Sequence, residues 1–242
     1  MQRITITAAQ LQAESIQLTP EQQHYLRRVL RLQAGDRFLA LDGQGQQWLA
    51  ALTDEAAIAQ ILATATPSLA ALPEVILAAA LPKGSGFDEV VRQATELGVT
   101  EIWPIISDRT LLRPSPQKLD RWRRIAAEAA EQSERLTVPR IAAPLSFVQL
   151  LQLTDLNKTC YLCSARQSQS HLLSCLLEQV PNALLLATGP EGGWTAAEID
   201  AAIAAGYQAV SLGPSILRAV TAPLAALALV NAARSLQAGP VK

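Results

Sequence analysis

A run of small and acidic residues, Gly189-Pro190-Glu191-Gly192-Gly193, separates an apolar segment from a polar one. The apolar segment, residues 183–188, predicts a buried strand, and the Thr195–Glu198 spacing predicts the capping box of a helix. Glycines at the carboxyl end of a parallel strand let a ligand approach the backbone, and a helix N-terminus favours an anionic group. The run therefore predicts either a small-molecule site or a tight turn without a ligand. No Gly-Lys-Ser/Thr follows, so it is not a phosphate-binding P-loop.

A second loop of the same kind, residues 212–222 (LGPSILRAVTA), lies further along the chain. It follows another strand candidate, and Thr221 with Pro223 is placed to begin the last helix. We expect the two loops to lie side by side at the carboxyl edge of one sheet and to enclose one small molecule.

The composition excludes several classes of protein. Of the 242 residues, 50% are hydrophobic and 17% are charged, which predicts a folded chain with a large core. The net charge of −1 shows that the chain as a whole is not strongly basic, although a local stripe of basic residues is enough to bind RNA. The longest apolar runs, 75–81 and 222–230, are shorter than the roughly 20 residues of a membrane helix. With no signal segment and three cysteines, we expect a soluble cytoplasmic protein without a membrane partner.

A change in composition near residue 70 predicts two domains. Residues 1–70 contain short apolar runs with a strand–turn–strand pattern around Asp42-Gly43, and one amphipathic helix begins at Thr19-Pro20. They indicate a small β-rich domain, followed by a linker over residues 66–73. Residues 73–242 alternate strand-like and helix-like segments, which predicts an α/β domain with a mostly parallel sheet and helices on both faces.

Metal and redox chemistry are not predicted. Cys160 and Cys163 lie three residues apart on a strand candidate, where side chains point to opposite faces. No second cysteine pair or histidine cluster supplies the remaining ligands of a zinc site. We interpret both cysteines, and Cys175, as core residues.

Basic residues gather on the helix of the first domain and between residues 109 and 140. Such runs form either an ordinary solvated helix face or a set of phosphate contacts. The segment Lys83-Gly84-Ser85-Gly86 is similarly either an anion contact or a plain turn.

Taken together, these segments resemble the ribosomal RNA small subunit methyltransferase E family of the SPOUT, or α/β-knot, class. The resemblance lies in GPEGG at 189–193 and LGPSILRAVTA at 212–222. It continues upstream, in the same order, through HYLRRVLRLQAGD, LPKGSGFDEVVRQATELGVTEIWPIISDR and AAEAAEQSERLTVPRI. It spans nearly the whole chain.

The resemblance implies a PUA-like β-barrel RNA-binding domain over residues 1–70 and a SPOUT methyltransferase domain over 73–242. The SPOUT domain would contain a deep trefoil knot and form a homodimer. An apolar last helix agrees with a dimer, since its apolar residues exceed what a solvated face tolerates. Those residues are Leu224, Leu227, Ala228 and Leu236.

The implied reaction is methyl transfer from S-adenosylmethionine, without a metal, to N3 of a uridine near the 3′ end of 16S rRNA in the small ribosomal subunit. The implied cofactor-binding residues are Thr188, Gly189, Pro190, Glu191, Gly192, Leu212, Gly213, Ile216, Leu217 and Thr221. The residues that we expect to contact RNA are Arg3, His24, Arg28, Arg31, Lys83, Arg109, Arg121, Arg124 and Arg135.

Two positions depart from the family pattern. Ser215 replaces an arginine, and Val220 replaces a glutamate that precedes Thr221. Glu191 and Arg218 are then the catalytic candidates. Glu191 would orient the site or accept the N3 proton, and Arg218 would face the uridine anion. Alternatively, Glu191 only complements a helix dipole.

Two other functions stay open from the sequence. One is a different SPOUT methyltransferase that modifies a tRNA base or a ribose hydroxyl. The other is a ribosome-binding protein of the same fold without turnover, which Val220 brings into consideration.

Overall fold

The computed structural model describes residues 1–65, 73–153, 158–165 and 169–238. The chain divides into two units, Met1–Leu72 with Ala130–Val138, and Pro73–Ala129 with Pro139–Lys242. Residues 130–138 thus belong to the first unit, although the sequence places them within the second domain. The predicted linker lies outside the described residues apart from Pro73.

The first unit contains a six-stranded sheet in the order β1-β4-β5-β6-β3-β2. Its strands are β1 (Arg3–Thr5), β2 (Leu11–Gln12), β3 (Ser15–Gln17), β4 (Arg37–Leu41), β5 (Gln47–Leu52) and β6 (Ile58–Ala65). Strand β1 pairs with β4 in parallel, and the other neighbours are antiparallel. The predicted hairpin is therefore confirmed as β4–β5, and Gly43 supplies its left-handed turn residue at φ 72°.

Side-chain alternation explains why this sheet has one buried face. In β5, Trp48, Ala50 and Leu52 are buried, and half-buried residues stand between them. Helix α1 (Pro20–His24) begins at Thr19, whose hydroxyl accepts the N–H of Gln22, and a π-helical turn over Tyr25–Val29 continues it.

The second unit is built on a seven-stranded sheet in which every pairing is parallel. Its strands are β7 (Glu74–Ala80), β8 (Glu101–Ile106), β9 (Arg140–Ile141), β10 (Leu145–Ser146), β11 (Thr159–Cys163), β12 (Ala183–Thr188) and β13 (Gln208–Val210). The order is β10-β8-β7-β12-β11-β13, with β9 beside β8. The predicted α/β class with a mostly parallel sheet is confirmed. The trefoil knot stays a prediction, because strand order alone does not define how a chain threads.

Six further helices, counted over the described ranges, belong wholly or mainly to this unit. They are α2 (Gly86–Glu96), α3 (Pro116–Gln132), α4 (Phe147–Gln152), α5 (Leu172–Glu178), α6 (Ala196–Ala204) and α7 (Thr221–Ala238). In α7, Leu227 is buried in the chain's own core, whereas Leu236 is 71% exposed. Among the described residues, no helix has the length and apolar character needed to span a bilayer.

Candidate functional site

The candidate site lies at the carboxyl edge of the parallel sheet. Strand β12 ends at Thr188 and leads into the loop 189–194, and β13 ends at Val210 and leads into the loop 211–220. Strand β11 lies between β12 and β13. The two loops therefore follow strands that are not adjacent in the sheet. The chain crosses over β11 between them, and the end of β11, residues 163–165, occupies the gap.

A cavity of about 270 Å³ opens among these three segments. Its lining residues are Arg109, Cys163, Ser164, Ala165, Gly189, Pro190, Glu191, Gly192, Gly193, Trp194, Ala196, Ile199, Leu212, Gly213, Ser215, Ile216, Leu217, Ala219 and Ala222. Both predicted loops thus reach one cavity, and most of the residues expected to bind a cofactor are in its wall.

Trp194 fixes the first loop to the end of β11. Its indole N–H donates to the carbonyl oxygen of Cys163 at 3.1 Å, and its ring packs against Phe147 at a centroid distance of 4.9 Å. Gly189 lies against the same ring, so that a Cβ there would come within 3.2 Å of the indole. A side chain at this position would therefore require the tryptophan ring to move by a few tenths of an ångström.

Arg109 fixes the other end of the loop. Its Nη1 donates to the carbonyl oxygens of Gly192 at 2.6 Å and of Trp194 at 3.4 Å. A Cβ at Gly192 would lie 3.0 Å from the Cδ of Arg109. Arg109 lies in the cavity wall, where the sequence suggested only an RNA contact.

The segment that carries Arg109 is itself bonded to the start of α6. The N–H of Asp108 donates to Oε1 of Glu198 at 2.9 Å, and the other oxygen of Glu198 accepts the N–H of Thr195 at 2.8 Å. Glu198 is buried at 4% exposure. The predicted capping box is confirmed, and its glutamate also positions the Arg109 segment.

Glu191 and Val220 contact the segment 82–86 from the two loops. The carboxylate of Glu191 accepts the backbone N–H of Lys83 at 2.8 Å. The side chain of Val220 packs against Gly86. A Cβ added at Gly86 would lie 2.8 Å from the Cγ1 atom of Val220. The segment is therefore a neighbour of the candidate site and not an isolated turn.

Three residues expected at the site lie outside the cavity wall. Thr188 is buried, and its hydroxyl has no hydrogen-bond partner among the described residues. Arg218 is exposed, and its carbonyl oxygen accepts the N–H groups of Thr221 and Ala222, which begin α7. Thr221 is exposed at that helix start.

The residues expected to contact RNA differ in their internal contacts and in their exposure. Arg3 pairs with Glu134 at 3.0 Å, the exposed Arg121 pairs with Asp88 at 2.8 Å, and burial lowers the pKa of Arg135 to about 10. Arg109 is exposed and makes the backbone contacts described above. The other exposed residues are His24, Arg28, Arg31, Lys83 and Arg124.

Cys160 and Cys163 are core residues as predicted, whereas Cys175 is only partly buried. Cys160 and Cys163 are 4% and 7% exposed, and burial raises the pKa of the Cys163 thiol to about 12. A neutral thiol is a poor nucleophile and a poor metal ligand. Across the described ranges, no three His, Cys, Asp or Glu side chains come together as a metal site.

Comparisons with known proteins agree with this architecture. The RNA methyltransferase domain family matches residues 70–231, and the RNA methyltransferase PUA domain family matches residues 18–62. The chain is 50% identical to the ribosomal RNA small subunit methyltransferase E of Synechocystis over 95% of its own length and 77% of the relative's. It is 33% identical to the enzyme of that name from Bacillus subtilis, over 96% of each chain.

A solved structure agrees as well. The ribosomal RNA small subunit methyltransferase E from Neisseria gonorrhoeae, crystallised with S-adenosyl methionine bound, has a TM-score of 0.85 at 33% identity. The match covers 96% of this chain and 97% of the other. With both domain families matched in order and these relatives aligned over nearly its full length, the chain belongs to the ribosomal RNA small subunit methyltransferase E family.

Proposed function

We propose that this protein transfers the methyl group of S-adenosylmethionine to N3 of a uridine in 16S rRNA of the small ribosomal subunit. The observation that carries the proposal is the cavity formed by the loops 189–194 and 212–217 at the carboxyl edge of the sheet. The relative from Neisseria gonorrhoeae, of the same fold, has S-adenosyl methionine bound.

The residues of the cavity fit such a cofactor. Its volume of about 270 Å³ is near the lower end for small-molecule sites, which begin at roughly 300 Å³. Gly213 has open space where a side chain would lie, while Ile199 and Leu217 offer apolar surface to an adenosyl group. When bound, the cofactor supplies the methyl group together with its own leaving group, as a sulfonium. The chain's task is then to align the acceptor and exclude water.

Uridine N3 carries a proton at neutral pH, so the reaction needs a proton acceptor or a group that stabilises the anion. We propose Glu191, exposed in the cavity wall, as the residue that orients the segment 82–86 or accepts the proton. Arg218, exposed in the second loop, is the cation proposed to face the anion. Val220, where the family pattern has glutamate, packs over Gly86 and offers no carboxylate.

The experiment is mass mapping of methylated nucleotides in rRNA from a strain lacking the gene and from the same strain complemented. We expect one N3-methyluridine of 16S rRNA to disappear and return. Loss of a tRNA or ribose methyl group instead would indicate the alternative SPOUT reaction. Calorimetric binding of S-adenosylmethionine with no missing methyl group would indicate a ribosome-binding protein without turnover.

We further propose a homodimer through the knotted domain, rRNA contact through the PUA-like domain, and a cytoplasmic location, where ribosomal subunits are found. Leu227 does not support the dimer, because it is buried within its own chain. Leu236, at 71% exposure, is available for such a contact. Sedimentation at twice the chain mass of 25.9 kDa would support the dimer.

A further inference from the structure

Arg109 is the cation of the candidate cavity. Within the described part of the chain, no other arginine and no lysine or histidine lines it, and Glu191 is the charged residue of opposite sign. The exposed basic residues suited to phosphate contact, such as Arg28 and Arg124, lie outside the cavity wall. Arg109 therefore meets whatever anionic group the cavity takes.

The guanidinium is held before any ligand arrives. Its Nη1 is bonded to the carbonyl oxygens of Gly192 and Trp194, and its aliphatic stem fills the space that a side chain at Gly192 would need. The backbone of the preceding residue, Asp108, is bonded to the buried Glu198. A guanidinium has five N–H donors, so the remaining donors can bind a ligand at little cost in side-chain entropy.

We propose that Arg109 binds the α-carboxylate of S-adenosylmethionine. This inference rests on the proposed function. The α-carboxylate is the one anionic group of that cofactor, and a planar guanidinium matches a carboxylate with two parallel hydrogen bonds. An RNA phosphate is the other anion that an arginine could meet here. The place of Arg109 in the wall formed by the glycine loop favours the cofactor.

The test compares S-adenosylmethionine with decarboxylated S-adenosylmethionine, which keeps the sulfonium and the ammonium and lacks only the carboxylate. Calorimetry on the full chain gives the ratio of the two dissociation constants. A charge-assisted contact predicts that the unaltered protein prefers S-adenosylmethionine by about tenfold to a hundredfold. In Arg109→Gln we expect a ratio within about threefold of one, and in Arg109→Lys an intermediate ratio.

The ratio separates ligand binding from support of the loop. Losing the bonds to Gly192 and Trp194 would weaken the binding of both ligands to the same extent, so that this effect cancels in the ratio of the two dissociation constants. The matched control is Arg113→Gln, an exposed arginine of the same segment outside the cavity wall, which should leave the ratio unchanged.

Two results would overturn the assignment and leave the proposed function intact: an unaltered protein that binds both ligands equally, or an Arg109→Gln variant that keeps the original ratio. If that variant kept the ratio and lowered the salt dependence of RNA binding, Arg109 would be a phosphate contact. Failure of the unaltered protein to bind either ligand would overturn both this inference and the proposed function.

Discussion

Glu191 illustrates how one side chain can have two separable roles. One carboxylate oxygen accepts the N–H of Lys83, which positions the segment 82–86. Proton transfer would require the basicity of the carboxylate, whereas positioning requires only an oxygen acceptor. A glutamine side chain keeps the acceptor and loses the basicity.

We expect Glu191→Gln to keep kcat/KM within about threefold, because glutamine retains an oxygen acceptor. We expect Glu191→Ala to lower kcat/KM about tenfold to a hundredfold, because hydrogen bonds to charged groups contribute roughly 1.5–3 kcal/mol. Methyl transfer to an rRNA fragment measures both variants. Asp200→Asn, an exposed carboxylate of α6 outside the cavity wall, is the control. If Glu191 were the proton acceptor, kcat/KM of both Glu191 variants would fall a hundredfold or more, on the order expected for general base catalysis.

The glycine loops could be predicted from the sequence because their signals are local. A glycine run, the strand before it and the capping box after it lie within about 16 consecutive residues. Arg109 and residues 163–165 could not be predicted as parts of the cavity, because they follow strands that are distant along the chain. Arg109 follows β8, which β7 separates from β12, and residues 163–165 come at the end of β11, between β12 and β13. A single sequence does not specify that order of strands.

At the scale of elements, Asp88 joins helices α2 and α3. Its Oδ2 accepts from Nε of Arg121 at 2.8 Å, and its Oδ1 accepts from the indole N–H of Trp122 at 3.0 Å. Trp122 is 1% exposed, whereas the Arg121 side chain is 61% exposed. The two bonds therefore contribute differently to the free energy of unfolding. A buried donor left without an acceptor destabilises the fold, whereas an exposed ion pair contributes little.

Asp88→Ala should lower the free energy of unfolding by about 1–3 kcal/mol, because it leaves the Trp122 indole N–H buried without an acceptor. Asp88→Asn and Arg121→Ala should each cost at most about 1 kcal/mol, the usual worth of an exposed pair. Denaturant titrations followed by tryptophan fluorescence measure all three. Equal losses in Asp88→Ala and Arg121→Ala would refute the dominance of the indole bond.

Long periodic helices and capped termini were predictable at this scale, and short elements were not. Helices α2, α3, α6 and α7 follow clear patterns, as in the buried Phe87, Val90 and Val91 of α2. Helices α4 and α5, of six and seven residues, are too short for periodicity to distinguish them from strands. The assignment of residues 130–138 to the first unit depends on long-range bonds, such as the N–H of Thr5 to Glu131.

At the scale of the whole molecule, the net charge does not distinguish arginines that pair within the chain from exposed arginines that are available to RNA. The Arg3 guanidinium donates both to the carboxylate and to the carbonyl oxygen of Glu134. Arg28 and Arg124 are exposed, and the described residues offer them no polar partner. Counting basic residues in the sequence cannot separate these groups, because the difference lies in tertiary contacts.

Binding of a 16S rRNA fragment should therefore depend on salt through the exposed group. Each lost phosphate contact makes the slope of log K against log salt concentration shallower by about 0.7–0.9. We expect that change for Arg28→Gln and for Arg124→Gln in filter-binding titrations. Arg3→Gln should leave the slope unchanged, and a shallower slope for it would show that its pairing with Glu134 yields to RNA.

The position of β11 between β12 and β13 also gives the cavity a third backbone segment. Residues 163–165 line it together with the two glycine-containing loops. A substitution that shifts the backbone of residues 163–165 would therefore reshape the cavity as directly as a change in either loop, although no sequence motif marks that segment.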